Sequence, residues 1–178
     1  MEKLNLPDKG IVLVVTKSED YTKANADIIY SIIKSKNRYC VYLSLNKPSF
    51  TLLENFAEAG LDTKKIFIID CVTSLAGEDV ERAGNVVFVE SPSNLTEIGT
   101  VLDGAIKSIP IKGSFLFLDS LSTMLLYNAA KTVATFVHFL SLKIRYYKMA
   151  GVIISLQNQE SSQIISQISE FCDMRITI

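Results

Sequence analysis

Seven short runs rich in β-branched and aromatic residues punctuate the chain, at 11–15, 40–45, 66–70, 86–90, 115–119, 152–156 and 174–178, with longer amphipathic stretches between them. Several are apolar at successive positions, as in Phe115-Leu116-Phe117-Leu118. A strand with no polar alternation must be buried on both faces, which a sheet with one wet face does not allow. The pattern predicts β-α units building a mostly parallel central sheet covered by helices on both sides, a three-layer α/β/α sandwich.

The covering helices show in the spacing of their apolar residues. Residues 23–35 carry Ala24, Ile28 and Ile32, residues 50–59 read as a short helix, and residues 95–107 place Ile98, Leu102 and Ile106 at four-residue steps. In 132–147, Val133, Phe136, Val137, Leu140, Ile144 and Tyr147 form one apolar stripe. Lys143, Arg145 and Lys148 weight the end that suits a helix dipole, and Gly151 is expected to stop the helix. No internal repeat, low-complexity tract or long linker breaks the 178 residues, which predicts one domain over 1–178.

With 48% apolar residues the chain can bury a sizeable core. Lys+Arg 18 against Asp+Glu 19 leaves a net charge of -1, so no global positive field draws in nucleic acid or an acidic membrane. The opening Met-Glu-Lys-Leu-Asn-Leu-Pro is too polar for a signal-peptide core, and no apolar run approaches the roughly 18 residues of a membrane helix. The expectation is a soluble, cytoplasmic protein. Cys40, Cys71 and Cys172 are odd in number and form no Cys-x-x-Cys pair, which points to reduced structural thiols rather than disulfides or zinc.

Chemistry is most legible in Phe115-Leu116-Phe117-Leu118-Asp119-Ser120-Leu121-Ser122, an apolar strand ending in a carboxylate and hydroxyls. A Walker B strand reads this way, because a magnesium ion beside phosphates wants carboxylate oxygen at the carboxyl edge of a sheet. A plainer reading is that Asp119 or Ser120 caps the next helix.

Four stretches set this strand in a wider frame: Val41-Tyr42-Leu43-Ser44-Leu45-Asn46-Lys47-Pro48; Ala59-Gly60-Leu61-Asp62 with 66–70; Asn94-Leu95-Thr96-Glu97-Ile98 leading to 115–122; and Gly151-Val152-Ile153-Ile154-Ser155 with 171–178. In order and spacing they resemble the RecA-like ATPase superfamily, and within it the KaiC-like and RadA-like branch common in archaea. The resemblance covers nearly the whole chain and implies a RecA-like, P-loop NTPase fold.

The resemblance also implies a Walker A loop after 11–15, where Gly-x-x-x-x-Gly-Lys-[Ser/Thr] would wrap a phosphate in backbone amides and bring a lysine to it. This chain has Thr16-Lys17-Ser18-Glu19-Asp20-Tyr21-Thr22-Lys23 instead. Thr16 and Tyr21 stand at the glycine positions, Thr22 at the lysine, and Lys23 at the magnesium-binding hydroxyl. None of the eight glycines lies between Ile11 and Ala59. Bulky residues do not adopt a positive φ cheaply, and Glu19 with Asp20 repels a triphosphate. Gly99 and Gly104 have the Gly-x4-Gly spacing but sit inside a helical period.

In KaiC-like relatives the general base lies in an acidic pair after the second strand; here that turn is Asn46-Lys47, and neither takes a proton from water at neutral pH. The polar segment 157–162 follows the strand after Walker B, where RecA-like proteins place a γ-phosphate sensor or a partner-binding loop. Gln157 is the candidate by resemblance, and a solvated turn the plainer alternative.

The expectation is a pseudo-ATPase: a regulatory or scaffold module with no catalytic residues and no bound cofactor, acting through a protein partner or by self-association. The competing expectation is a nucleotide binder or weak ATPase. There Lys17, Ser18 or Lys23 meets the phosphates, Ser120 and Gln157 lie close by, and Asp119 holds the magnesium of Mg-ATP.

Other constellations carry less. His138, the single histidine, supports neither a serine-type triad nor a metal cluster. Lys143, Arg145, Tyr146, Tyr147 and Lys148 could form a basic and aromatic patch, but dipole-matched cations and core tyrosines explain them without nucleic acid. Asp70 and Asp119 both end strands as in phospho-acceptor receiver domains, yet 152–157 lacks the later lysine and Thr16-Lys17 replaces the acidic pair.

Overall fold

The structure, a computed structural model, describes residues 6–35, 37–77, 84–110, 113–157 and 162–178. Strands form at β1 (Gly10–Thr16), β2 (Cys40–Ser44), β3 (Ile66–Asp70), β4 (Val86–Phe88), β5 (Phe115–Asp119), β6 (Ala150–Leu156) and β7 (Met174–Thr177). They make one seven-stranded sheet in the order β4-β3-β2-β5-β6-β1-β7. Every pair is parallel.

Period-two alternation sorts the side chains of this sheet into two cores. Leu13, Leu43, Leu116, Leu118 and Ile153 face α3 (Leu95–Ser108), α4 (Leu121–Tyr127), α5 (Ala130–Tyr146) and α6 (Ser162–Ser169). Val12, Val14, Tyr42, Phe115, Phe117 and Val152 face α1 (Tyr21–Tyr30) and α2 (Ser49–Glu58). This is the three-layer sandwich, and the uniformly apolar runs are its doubly buried strands.

Most element bounds shift by one or two residues from expectation, β4 ending at Phe88 and β6 beginning at Ala150, and two helix ends differ in kind. α1 begins at Tyr21 and gives way to a wider π-helical turn over Ser31–Ser35, so the 23–35 period covers two kinds of turn. α5 ends at Tyr146, before Gly151, and it is Lys148 that turns the chain, with φ 54. The Met149 amide donates to the Ile144 carbonyl at 3.0 Å and the Lys148 amide to that of Arg145 at 3.1 Å, a Schellman closure with lysine where glycine is usual. Gly151 instead lies within β6, where a Cβ would come 2.6 Å from Ile144 Cδ1. Its role is the close approach of α5 to the sheet.

Tyr147 is half-buried, but Tyr146 is 79% exposed and off the stripe, so only one of the two tyrosines belongs to the core margin. Lys143 pairs with Asp103 of α3, and Arg145 donates to Asp173 at 3.0 Å. Gly99 and Gly104 lie inside α3.

From β2 the chain steps outward to β3 and β4, then returns to β5 between β2 and β6. The carboxyl ends of β2, β5, β6 and β1 therefore stand side by side, at the edge where open α/β sheets carry their sites.

Candidate functional site

At this edge β1 passes into α1 through only four residues, 17–20. The turn closes by the Asp20 amide donating to the Lys17 carbonyl at 3.2 Å, and Asp20 (φ -96, ψ -9) leads into the helix without a side-chain cap. Among described non-glycine residues only Asn37 and Lys148 have positive φ. The turn thus lacks the left-handed steps that gather successive amides around an anion. Lys17, Ser18, Glu19, Asp20, Thr22 and Lys23 are exposed, while Tyr21 turns inward beside Val12, Val14 and Ile28. Its hydroxyl accepts from Asn46 Nδ2 at 3.4 Å, which joins the β1–α1 turn to the turn after β2.

Asp119 closes β5 on the same face as Phe115 and Phe117, towards α1 and α2. It is 1% exposed. Tyr42 donates its hydroxyl to Asp119 Oδ2, and its ring stacks on Phe117 at 5.1 Å and meets Phe56 of α2 edge-on at 5.7 Å. Burial pushes the Asp119 carboxyl up to about 7. Burial likewise raises the Tyr42 phenol, helped by the neighbouring Cys40 and opposed by a hydrogen bond with Asn25, so it remains a neutral donor. Asp119 Oδ1 and Asn25 Oδ1 are the two buried side-chain oxygens without a partner among the described residues.

Asp70, at the end of β3, has the opposite environment. Burial raises its carboxyl, but the Thr73 hydroxyl (2.6 Å) and the amides of Thr73 (3.0 Å), Val72 (2.9 Å) and Ser49 (2.6 Å) outweigh that and hold it below the usual carboxylate range. Ser49 opens α2, so the carboxylate also meets the positive end of that helix. Asp70 is a structural clasp between β3 and α2.

Ser120 is the N-cap of α4: its Oγ accepts from the Thr123 amide at 3.2 Å. The Asp119–Ser120 peptide is cis. Gln157 has an exposed side chain, and its amide donates to the Thr16 carbonyl at 2.8 Å, tying the end of β6 to that of β1. Ser122 accepts from the Leu156 amide at 2.8 Å and so fastens α4 to β6. Residues 158–161 of the polar segment after β6 lie outside the described residues.

The fold thus brings the ends of β1, β5 and β6 to one edge, but Lys17, Ser18, Lys23 and the Gln157 side chain lie in solvent while Asp119 lies beneath the surface. Sequence reasoning missed Tyr42, Asn25 and the Tyr21–Asn46 contact. A tyrosine in the otherwise aliphatic run 41–43 is the one signal that could have marked the first. His138 is exposed, its ring 4.8 Å from that of Phe171. Cys40 and Cys71 are buried and Cys172 half-buried, all with thiols pushed up mainly by burial. No cluster of three His, Cys, Asp or Glu residues fit for a metal occurs among the described residues, and no described helix is long and apolar enough to cross a membrane.

A model of the Family of unknown function (DUF7504) matches residues 10–178. The chain belongs to the DUF7504 family. No curated protein matches this DUF7504 chain. Among solved structures, a KaiC-like protein, PH0186, from the hyperthermophilic archaeon Pyrococcus horikoshii OT3 superposes with a TM-score of 0.68 at 15% identity, over 97% of this chain and 72% of that one. At that identity the likeness is one of fold, and it places the DUF7504 sheet and its covering helices in the RecA-like class. What the DUF7504 edge can do chemically follows from its own residues: one sunken carboxyl, one clasped carboxylate, and exposed lysines with no amide cradle between them.

Proposed function

We propose that this chain is a non-catalytic RecA-like, KaiC-like module that acts by binding protein, with its phosphate loop and general base replaced. The observation that carries this reading is the position of Asp119, 1% exposed and engaged by Tyr42. A magnesium ion needs an accessible carboxylate for its water shell, and a carboxyl sealed in an aromatic layer offers none.

The donor set around it does not fit a magnesium nucleotide. The turn 17–20 has no left-handed residue, Tyr21 packs into the core, and Asn46 and Lys47 supply no carboxylate base. Lys17 and Lys23 carry the right charge, but Glu19 and Asp20 share their exposed turn and offset it. The expected behaviour is no steady hydrolysis of ATP by the purified protein. Hydrolysis that Asp119→Ala abolishes would overturn the reading.

A further inference from the structure

No Asp or Glu occurs between Asp119 and Glu160, in a chain that carries 19 of them, and this acid-free stretch holds α5. Its charges are Lys131, Lys143, Arg145 and Lys148. α5 is also apolar on two sides. Val133, Phe136, Val137, Leu140 and Ile144 face the core, while Phe139 (37% exposed), Leu142 (55%) and Tyr146 (79%) follow at three- and four-residue steps on the outer side. A helix built to meet water along that side would carry a polar row there.

Beside this row a groove of about 620 Å³ opens between α5 and α3. Leu95, Phe136 and Phe139 line it, and Gly99 contributes no side chain to it. Thr100 donates its hydroxyl to the Thr96 carbonyl at 3.1 Å and Thr135 to the Lys131 carbonyl at 3.0 Å, so these two wall residues spend their polar groups on their own helices. Lys131 stands at one end. At the other, Lys143 pairs with Asp103 and lies over the Phe139 ring at 5.1 Å.

We propose that this groove docks an amphipathic helix of a partner protein, apolar on the face it buries and acidic beside Lys131. Shape, length and charge select this occupant. The lining runs from Lys131 to Lys143 of α5, about 18 Å or three turns of helix. A hydrophobic groove of that length takes a helix through apolar residues at i, i+3 or i+4 and i+7. A flat bilayer would meet the Leu142 and Tyr146 ridge and leave the groove empty. Two of the four cations are already met by Asp103 and Asp173, whereas recognition of an anionic lipid surface wants a larger cluster. A second copy laying its own α5 antiparallel would bring Lys131 against Lys143 and Arg145, with no acid on either helix. Such like-charge juxtaposition is unfavourable, and an acid-bearing helix meets the opposite sign along the same length.

The proposal rests on the protein-binding reading and gives it a surface and a class of partner; no nucleotide enters its test. The probe is a displayed library of helical peptides of three to four turns, selected on the purified full chain. Enriched peptides should carry large apolar residues at i, i+3 or i+4 and i+7 with Asp or Glu beside them. Made synthetically, they should bind the parent and lose about tenfold or more in affinity to Phe139→Asp and to Lys131→Glu. Replacing the peptide acid by lysine should recover binding to Lys131→Glu, a swap that a merely unfolded variant does not allow. Lys131 is exposed, so that variant keeps the fold, and circular dichroism checks both. A selection that yields no peptide, basic peptides, or peptides indifferent to both variants overturns the proposal. So does flotation of the parent with phosphatidylserine vesicles that Phe139→Asp abolishes, or a parent dimer that the same variant breaks, since either gives the surface another occupant. These outcomes overturn the groove alone, whereas steady ATP hydrolysis would overturn the protein-binding reading.

Discussion

The hydroxyl of Tyr42 donates to Oδ2 of Asp119 across the β2–β5 pair. Asp119 is in register with Ser44, so Tyr42 is its diagonal neighbour, two residues back along β2, and only a long side chain covers that distance. The ring that delivers the hydroxyl also fills the space between Phe117 and Phe56. The same side chain therefore packs the α1 and α2 layer and closes it over the carboxyl.

Burial without a charged partner makes Asp119 a liability at neutral pH. Its carboxyl titrates near 7 in the folded protein and near 4 in an unfolded chain. Between those values the folded state holds more protons than the unfolded state, so the contribution of Asp119 to stability falls as pH rises through the window from about 4 to about 7. The cumulative effect is of order 4 kcal/mol. Asp119→Asn removes the titration, so urea unfolding should show its stability relative to the parent rising across that window and levelling off above pH 7. A difference that stays flat from pH 4 to 8 would mean that Asp119 is ionised and solvated.

Asp70 has the opposite sign. Its folded pKa is held below the unfolded value, so its contribution is complete above about pH 4 and is lost as pH falls through the folded pKa. Asp70→Ala leaves the amides of Ser49, Val72 and Thr73 without their acceptor and should cost about 3 kcal/mol at pH 7, shrinking on acidification. Chemical denaturation of parent and variant at pH 7 and pH 3 checks both parts.

Gly151 tests the contact between α5 and the sheet. A Cβ there falls 2.6 Å from Ile144 Cδ1, so Gly151→Ala should destabilise by about 1–3 kcal/mol through overpacking. Ile144→Val removes the offending methyl, and in the Gly151→Ala background it should recover most of that loss. A double-mutant cycle with no coupling would show that the α5–β6 spacing is looser than described.

The fold was legible because its strands are buried on both faces and so carry no polar alternation; the bounds 66–70 and 115–119 match β3 and β5. A helix after Asp119 was expected and Ser120 does cap it, but the extents of α4 and α6 were not assigned, because seven and eight residues hold barely two turns, too few to establish a helical period. Gly151 was misread as a helix stop because a glycine chosen for close approach looks the same in sequence as one chosen for a turn. The candidate edge was legible in part. The missing glycines of 11–59 foretold a turn without positive φ. The sealing of Asp119 was not, since it depends on a β2–β5 register that brings together Tyr42 and a residue 77 positions away.

The most direct test of the central claim is a thermal melt of the purified protein with and without millimolar Mg-ATP. A ligand at 100 times its dissociation constant stabilises the folded state by about 2.7 kcal/mol, which is a rise in Tm of roughly 5–10 °C for a chain of this size. The account predicts superimposable melts. A saturable, magnesium-dependent rise that Asp119→Ala removes would show that the carboxyl is open to a nucleotide-bound metal, and would contradict it.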